Sequence, residues 1–236
     1  MVKKFRKKKR TYNKKRKSSM VKYRRPLLPL GGFPDRKIAR LKYAAFITLD
    51  PTALGSAVPV VHHFRANSLY DPDKTGIGHQ PRGFDEHAAI YDHYCVIGSK
   101  IKVSFESDVD NLASTGQYCF LMLQDTDDTP TSLVDIMEES NKNKINFRPR
   151  NTVSGKSIIL TKSFSPYKMF GIPKKDSLLN NVNLNPQTGA NPVEDAIFTI
   201  GVACSRSTTT NPPQITARVE IEYIAVFTEK RPMQLS

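Results

Sequence analysis

Five histidines, His62, His63, His79, His87 and His93, crowd one stretch of this sequence, with Asp85 and Glu86 among them. Imidazoles beside carboxylates are the donor set of a metal site or of acid–base catalysis, so their spacing decides whether they can act together. His62 and His63 are adjacent in a segment of strand character and point to opposite faces, so at most one could join a site. His87 and His93 are six apart, the wrong separation for one helical face. There is no HxH or HExxH pattern and no GxSxG elbow, and Cys95, Cys119 and Cys204 fit neither a nucleophile signature nor CxxC spacing. "GIGHQPRGF" (76–84) neither leaves an evident strand for a helix nor ends in Lys-Ser or Lys-Thr, so it is not a phosphate loop. The expectation is a protein that is not an enzyme and holds no metal or cofactor.

Polyanion chemistry is the stronger signal. Lys3, Lys4, Arg6, Lys7, Lys8, Lys9, Arg10, Lys14, Lys15, Arg16, Lys17, Lys22, Arg24 and Arg25 put fourteen cations and no anion into the first 25 residues. The chain has 36 Lys plus Arg against 22 Asp plus Glu, so residues 26–236 carry 22 of each sign and are neutral. A block of like charge repels itself and offers little apolar surface to offset the entropy of ordering, so residues 1–25 are expected to be a disordered arm. Lys and Arg displace counterions from phosphates, and Phe5, Tyr12 and Tyr23 can stack on unpaired bases. "KKFRKKKR" and "NKKRK" also suit an importin, although import alone needs only a handful of residues. Contiguous charge does not suit an amphipathic transit peptide. No apolar region follows as in a secretory signal, and interleaved Leu and Trp for a membrane surface are missing.

The elements that would carry these residues are mostly strands. Ile101, Val103 and Phe105 alternate with Lys100, Lys102, Ser104 and Glu106, and Ala217, Val219, Ile221 and Tyr223 alternate with Arg218, Glu220 and Glu222. From Ile224 to Phe227 both faces turn apolar, which predicts cover on both sides by the fold itself or by another subunit. Further strands are expected at 38–49, 59–66, 117–123, 145–150, 156–164 and 196–205, making eight. Helical pattern is confined to 85–94 and 132–139. "NNVNLNPQTGANP" (180–192) reads as an exposed loop without a core of its own. The longest apolar run is about six residues, far short of the roughly 18 of a membrane-spanning helix, and three cysteines without pairing spacing read as buried free thiols.

Connections between the eight strands alternate short and long, 50–58, 67–95, 107–116, 124–144, 151–155, 165–195 and 206–214. Antiparallel strands joined in this way give one plain end and one elaborate end, as in a single eight-stranded antiparallel jelly roll, a two-sheet sandwich of two Greek keys. An immunoglobulin-like sandwich is the other candidate, but the sequence has no Trp and lacks the cysteine spacing. The only domain boundary falls near Pro26, between the arm (1–25) and the body (26–236).

One stretch adds a likeness. "FRANSLYDPDKTGIGHQPRGFDEHAAIYDHYCVIGSKIKVSF" (64–105) resembles a segment in capsid proteins of circular Rep-encoding single-stranded DNA (CRESS-DNA) viruses, the circovirus-like group. The matching features are Asn67-Ser68-Leu69-Tyr70-Asp71-Pro72, Gly78-His79-Gln80-Pro81, Gly83-Phe84-Asp85, Tyr91 with Tyr94, and the strand Ile97 to Phe105. A weaker likeness extends to "TARVEIEYIAVF" and to the basic arm, which departs from circoviruses in being rich in Lys rather than Arg. The resemblance implies a virion protein, a jelly-roll capsid subunit that self-assembles into a small icosahedral (T=1) shell around a circular single-stranded DNA genome and enters the host nucleus. Its partners would be sixty or so copies of itself, the genome, a host importin and an unidentified receptor, without membrane insertion. Sixty arms of fourteen charges supply about 840 cations toward the phosphates.

Residue roles follow. Asp71-Pro72 and Gly76, Gly78 and Gly83 suit tight reversals, and Pro81 an extended loop entry. Phe84, Tyr91 and Tyr94 anchor the long connection either onto the subunit's own core or across a subunit boundary. Arg148 and Arg150 are candidates to supplement the arm on DNA. The competing reading is a cellular nucleic-acid-binding protein with a basic tail and a β-sandwich body. Such a body would normally be basic, and this one is neutral.

Overall fold

Alternating apolar residues become half-buried strands because successive side chains leave opposite faces of the pleat. The computed structural model describes residues 32–51, 58–107, 117–138, 146–150, 157–172, 175–204 and 214–232, and Asp35–Ser236 forms one compact unit. Its eight strands are β1 (Arg36–Leu49), β2 (Val60–Arg65), β3 (Tyr91–Ser107), β4 (Gln117–Gln124), β5 (Asn146–Arg150), β6 (Ile158–Phe164), β7 (Ile197–Cys204) and β8 (Ile215–Lys230). They form two four-stranded sheets, ordered β1-β8-β3-β6 and β2-β7-β4-β5, with every neighbouring pair antiparallel. Each sheet draws strands from both halves of the chain, so the two Greek keys interlock. This is the all-β jelly roll that the alternating connection lengths predict.

Between the sheets lies one main core. The first sheet contributes Leu41, Tyr43, Ile101, Val103, Phe105, Val219, Ile221 and Tyr223, and the second contributes Phe64, Cys119, Leu121, Phe198, Ile200 and Val202. Strand β7, flanked by β2 and β4, is buried at every position, which explains its continuous apolar sequence IFTIGVAC. Gly201 sits within it because a Cβ there would lie 2.4 Å from Phe120 Cζ and 2.6 Å from the Val60 carbonyl oxygen.

The long connections pack onto the sheets rather than standing clear of them. Helix α1 (Phe84–Ala88) lies in the connection between β2 and β3, and α2 (Leu133–Glu138) lies in the one between β4 and β5. Ile136 and Leu133 of α2 join Phe120, Met122, Ala203 and Val61 in a cluster of their own. After β6 come α3 (Pro166–Met169), α4 (Lys175–Leu179) and a 3-10 turn (Val182–Leu184). Leu178, Leu179 and Leu184 from that stretch meet Cys95 and Val226 in a further cluster. Of the doubly apolar end of β8, Val226 is thus covered by the chain itself, while Ile224 stays 42% exposed, so the expected cover on both sides is met only in part.

Three expectations are corrected. The helix expected over 85–94 stops at Ala88, and β3 already begins at Tyr91, which pairs with Lys230. Helical turns are not confined to the two segments expected, since α3, α4 and the 3-10 turn occupy the connection before β7. The Asn-rich loop has apolar anchors, since Leu184 is buried with Leu178 and Leu179. All three cysteines are free and buried, and burial pushes the Cys95 thiol up to about 12 and raises that of Cys204.

Candidate nucleic-acid interface

The fourteen arm cations from Lys3 to Arg25, with Phe5, Tyr12 and Tyr23, lie outside the described residues. Arg148 and Arg150 fall on β5, the edge strand of the second sheet, opposite Cys119 and Gln117 of β4.

The stretch that carries the sequence likeness is an internal brace. It leaves β2 at Arg65, whose N–H donates to the Pro72 carbonyl at 2.7 Å, so the chain turns back over itself at once. The Arg65 guanidinium holds that turn, with Nη1 donating to Asp71 Oδ2 (2.8 Å) and to the Asp71 carbonyl (3.1 Å). On its other side Nε lies 3.6 Å from Asp195 Oδ1, an ion-pair distance. Lys74 extends the pairing to Asp195 (3.3 Å) and Asp127 (3.1 Å). Asn67 Nδ2 donates to the Glu194 carbonyl (2.6 Å), and its Oδ1 accepts from the Ala196 N–H (3.1 Å). Ser68 Oγ is 2.7 Å from Asn191 Oδ1 and 3.0 Å from the Tyr94 hydroxyl, which donates to the Ala190 carbonyl at 3.0 Å. Asn67 and Ser68 are buried, so their bonds satisfy groups that are costly to leave unpaired.

The histidines disperse to separate partners. His62 Nε2 lies 3.0 Å from Asp73 Oδ1, and His63 Nδ1 lies 3.0 Å from Thr199 Oγ1. Burial is the main cause lowering the His63 pKa, against the Asp127 carboxylate that raises it. His79 packs at a tilt against Tyr43, centroids 4.6 Å apart, with its ring nitrogens 2.9 Å from the Ala44 carbonyl and 2.8 Å from that of Gln80. His87 stacks on Phe227 at 4.7 Å, and His93 reaches the Asn185 carbonyl at 3.2 Å. Among the described residues no group of three or more His, Cys, Asp or Glu is placed to hold a metal ion, and no helix is long and apolar enough to cross a membrane.

Phe84, Tyr91 and Tyr94 are 1%, 2% and 0% exposed, so in this chain they sit on its own core. They converge on Phe227 of β8, with ring centroids 6.3, 6.1 and 6.5 Å from it, and Phe84 meets Tyr94 edge to face at 5.6 Å. Gly83, at φ +87°, caps α1 in a left-handed conformation and so delivers Phe84 into that cluster.

Sequence reasoning missed the face of the first sheet that points away from the core. Strand parity and register put Arg36, Ile38, Arg40, Lys42, Ala44, Phe46 and Thr48 of β1 on it. They stand beside Thr216, Arg218, Glu220, Glu222 and Ile224 of β8 and Lys100, Lys102, Ser104 and Glu106 of β3. Arg40 pairs with Glu222, and Lys42 with Glu220 at 2.6 Å. The alternation of Lys100 and Lys102 with apolar residues marked one edge of this face, but the cross-strand register that brings β1 and β3 to either side of β8 is invisible locally.

The fold therefore defines a jelly-roll protein whose recognised loop is structural. No protein-family model and no curated protein matches the chain. Similar solved structures include a 60-mer BFDV capsid protein, 9% identical over 86% of this chain and 100% of that one, with a TM-score of 0.48. Others are the semi-empty particle of the giant freshwater prawn Macrobrachium rosenbergii nodavirus (9% identity, 85% and 97% of the chains, TM-score 0.47) and Desmodium yellow mottle tymovirus (9%, 89% and 97%, 0.41).

Proposed function

We propose that this chain is a capsid subunit that assembles into a small icosahedral shell and packages single-stranded DNA through residues 1–25. The observation that carries the reading is the confinement of the whole net charge of +14 to those residues, ahead of a neutral body folded as a jelly roll. A neutral body packs against copies of itself without repulsion, while an arm of like charge neutralises a polyanion. The sequence likeness over 64–105 points the same way and adds a circovirus-like origin, with an importin-guided stay in the host nucleus. The role assigned is structural rather than catalytic.

Deletion of residues 1–25 tests it. The truncated protein should still form uniform closed particles in negative stain, with an absorbance ratio at 260 and 280 nm falling to that of bare protein. Full-length particles should protect nucleic acid from nuclease. Monodisperse monomers of the full-length chain, or truncated particles with the same absorbance ratio as full-length ones, overturn the proposal.

A further inference from the structure

Phe46 is 73% exposed on β1, the longer edge strand of the first sheet. It contributes nothing to the core, because strand parity turns it away while Ala45 and Ile47 pack inward. Ile38, Ile159 and Ile224 are also exposed on this face, and exposed aliphatic residues need no explanation, but the surroundings of Phe46 are not ordinary. It lies directly opposite Arg218 of β8, which lies opposite Ser104 of β3. Two residues along the strands the row reads Ala44, Glu220, Lys102. Two further along it reads Lys42, Glu222, Lys100. With Arg36 and Arg40, this face has six cations, all exposed, against the three carboxylates of Glu106, Glu220 and Glu222.

The excess is felt electrostatically. Glu220 is held below the usual carboxylate range first by its hydrogen bond to Lys42, with Lys102 and Arg218 adding to it. Glu222 is lowered first by its hydrogen bond to Arg40, with Lys42 and Lys100 contributing. Positive potential thus extends over three strands, around one exposed aromatic ring. Between Arg40 and Thr48 the face is about 26 Å long at about 3.3 Å per residue, room for several nucleotides. On the other sheet, α2 covers Phe120 and Met122 on the outer side.

We propose that this outer face of the β1-β8-β3-β6 sheet binds an unpaired polynucleotide, with a base stacked on Phe46 and phosphates against Lys42, Lys100, Lys102 and Arg218. An exposed aromatic among Lys and Arg on a sheet is how single strands are held without sequence preference, because every base has a π-face and every phosphate a charge. The inference rests on the capsid reading only in taking single-stranded nucleic acid as the cargo.

The test uses the full-length chain with fluorescent oligo-dT, oligo-rU and a duplex of the same length, beside light scattering of particle formation. Phe46→Ala should weaken both single strands about 5- to 150-fold, the range set by one base–aromatic stack. It should leave duplex binding, the melting temperature and the dependence on salt unchanged. Phe46→Trp should restore or exceed the original affinity. Lys102→Ala with Arg218→Ala should instead make the slope of log affinity against log salt shallower by about 0.7 for each phosphate no longer neutralised. Equal binding by Phe46→Ala and the parent, or no binding of single strands by the parent, overturns the inference. Loss of particle formation with unchanged binding also overturns it, and makes the face a contact between subunits. The first of these outcomes leaves packaging by the arm untouched, so failure here and failure of the capsid reading are separable.

Discussion

A tyrosine buried as deeply as Tyr94 must place its hydroxyl against a partner, and here Ser68 and the Ala190 carbonyl serve. Its ring and that of Phe84 lock the β2–β3 connection onto Phe227, so their loss should be felt by the single subunit. Phe84→Ala is expected to cost about 3–5 kcal/mol of subunit stability, a large part of what a domain possesses. Thermal unfolding of the dissociated subunit checks this. A parent-like melting temperature with failed assembly would restore a role between subunits. The sequence marked these aromatics as anchors but could not say onto what, because their common partner, Phe227, lies more than a hundred residues away. Burial also sets an alkaline limit. It pushes Tyr43 and Tyr94 up to about 12 and Tyr223 well above its ordinary value. A tyrosine raised in the folded state stays protonated while the unfolded chain has begun to ionise. The tyrosines' share of stability is therefore intact below about pH 10 and falls as pH rises toward 12, by about 1.4 kcal/mol per pH unit for each group, and the buried Cys95 thiol adds a fall that begins near its ordinary value of 9. Denaturation midpoints between pH 9 and 11 measure the slope, and Tyr94→Phe should remove one group's share. A flat profile would contradict the burial.

At the scale of elements, strand identity was legible because half-buried strands announce themselves by alternation. All eight expected strands are present, most with their ends within about two residues of the expected positions. The exception is the start of β3. "DEHAAIYDHY" has the spacing and cap of a helix, yet Tyr91–Tyr94 is extended because the far end of β8 offers it a ladder, Tyr91 against Lys230 and Tyr94 against Phe227. Long-range pairing overrides local pattern there, and the register shift between Val96 and Gly98 reconciles that end with the regular alternation beyond it. The brace was illegible for a similar reason. Asn67 and Ser68 look like turn residues, but their partners, Glu194, Ala196 and Asn191, come from a loop before β7. Gly201 is the sharpest test of how the second sheet is packed, because the backbone oxygen of Val60 cannot move aside as a flexible side chain can. Gly201→Ala should destabilise the subunit by about 1–3 kcal/mol through overpacking. Chemical denaturation is the measurement, and an unchanged midpoint would mean that Phe120 and β2 stand further from β7 than the jelly roll places them.

For the whole molecule the decisive feature is the separation of charge. A chain with +14 overall but zero over residues 26–236 concentrates its cations on a segment predicted from sequence to have no fold to disturb, where the proposed binding of a polyanion would cost least in ordering. Within the neutral body, charge is still uneven, and the face around Phe46 shows that a zero sum over sequence need not mean a neutral surface. The two proposed sites differ in kind, and salt separates them. If the arm's cations meet single-stranded phosphate, each neutralised phosphate adds about −0.7 to the slope of log affinity against log salt, so fourteen of them set a limit of roughly −10. Removing residues 1–25 should abolish most of that slope and leave a shallow remainder from the few cations on the sheet. That remainder should fall further with Lys102→Ala and Arg218→Ala but stay the same with Phe46→Ala. Titrations of full-length and truncated protein with oligo-dT over a range of salt measure both. A shallow slope in the full-length chain would assign its affinity to stacking by Phe5, Tyr12 and Tyr23. Replacing those three by Ala would then cost more than replacing three arm lysines, and the arm would be a stacking device rather than a tethered counterion.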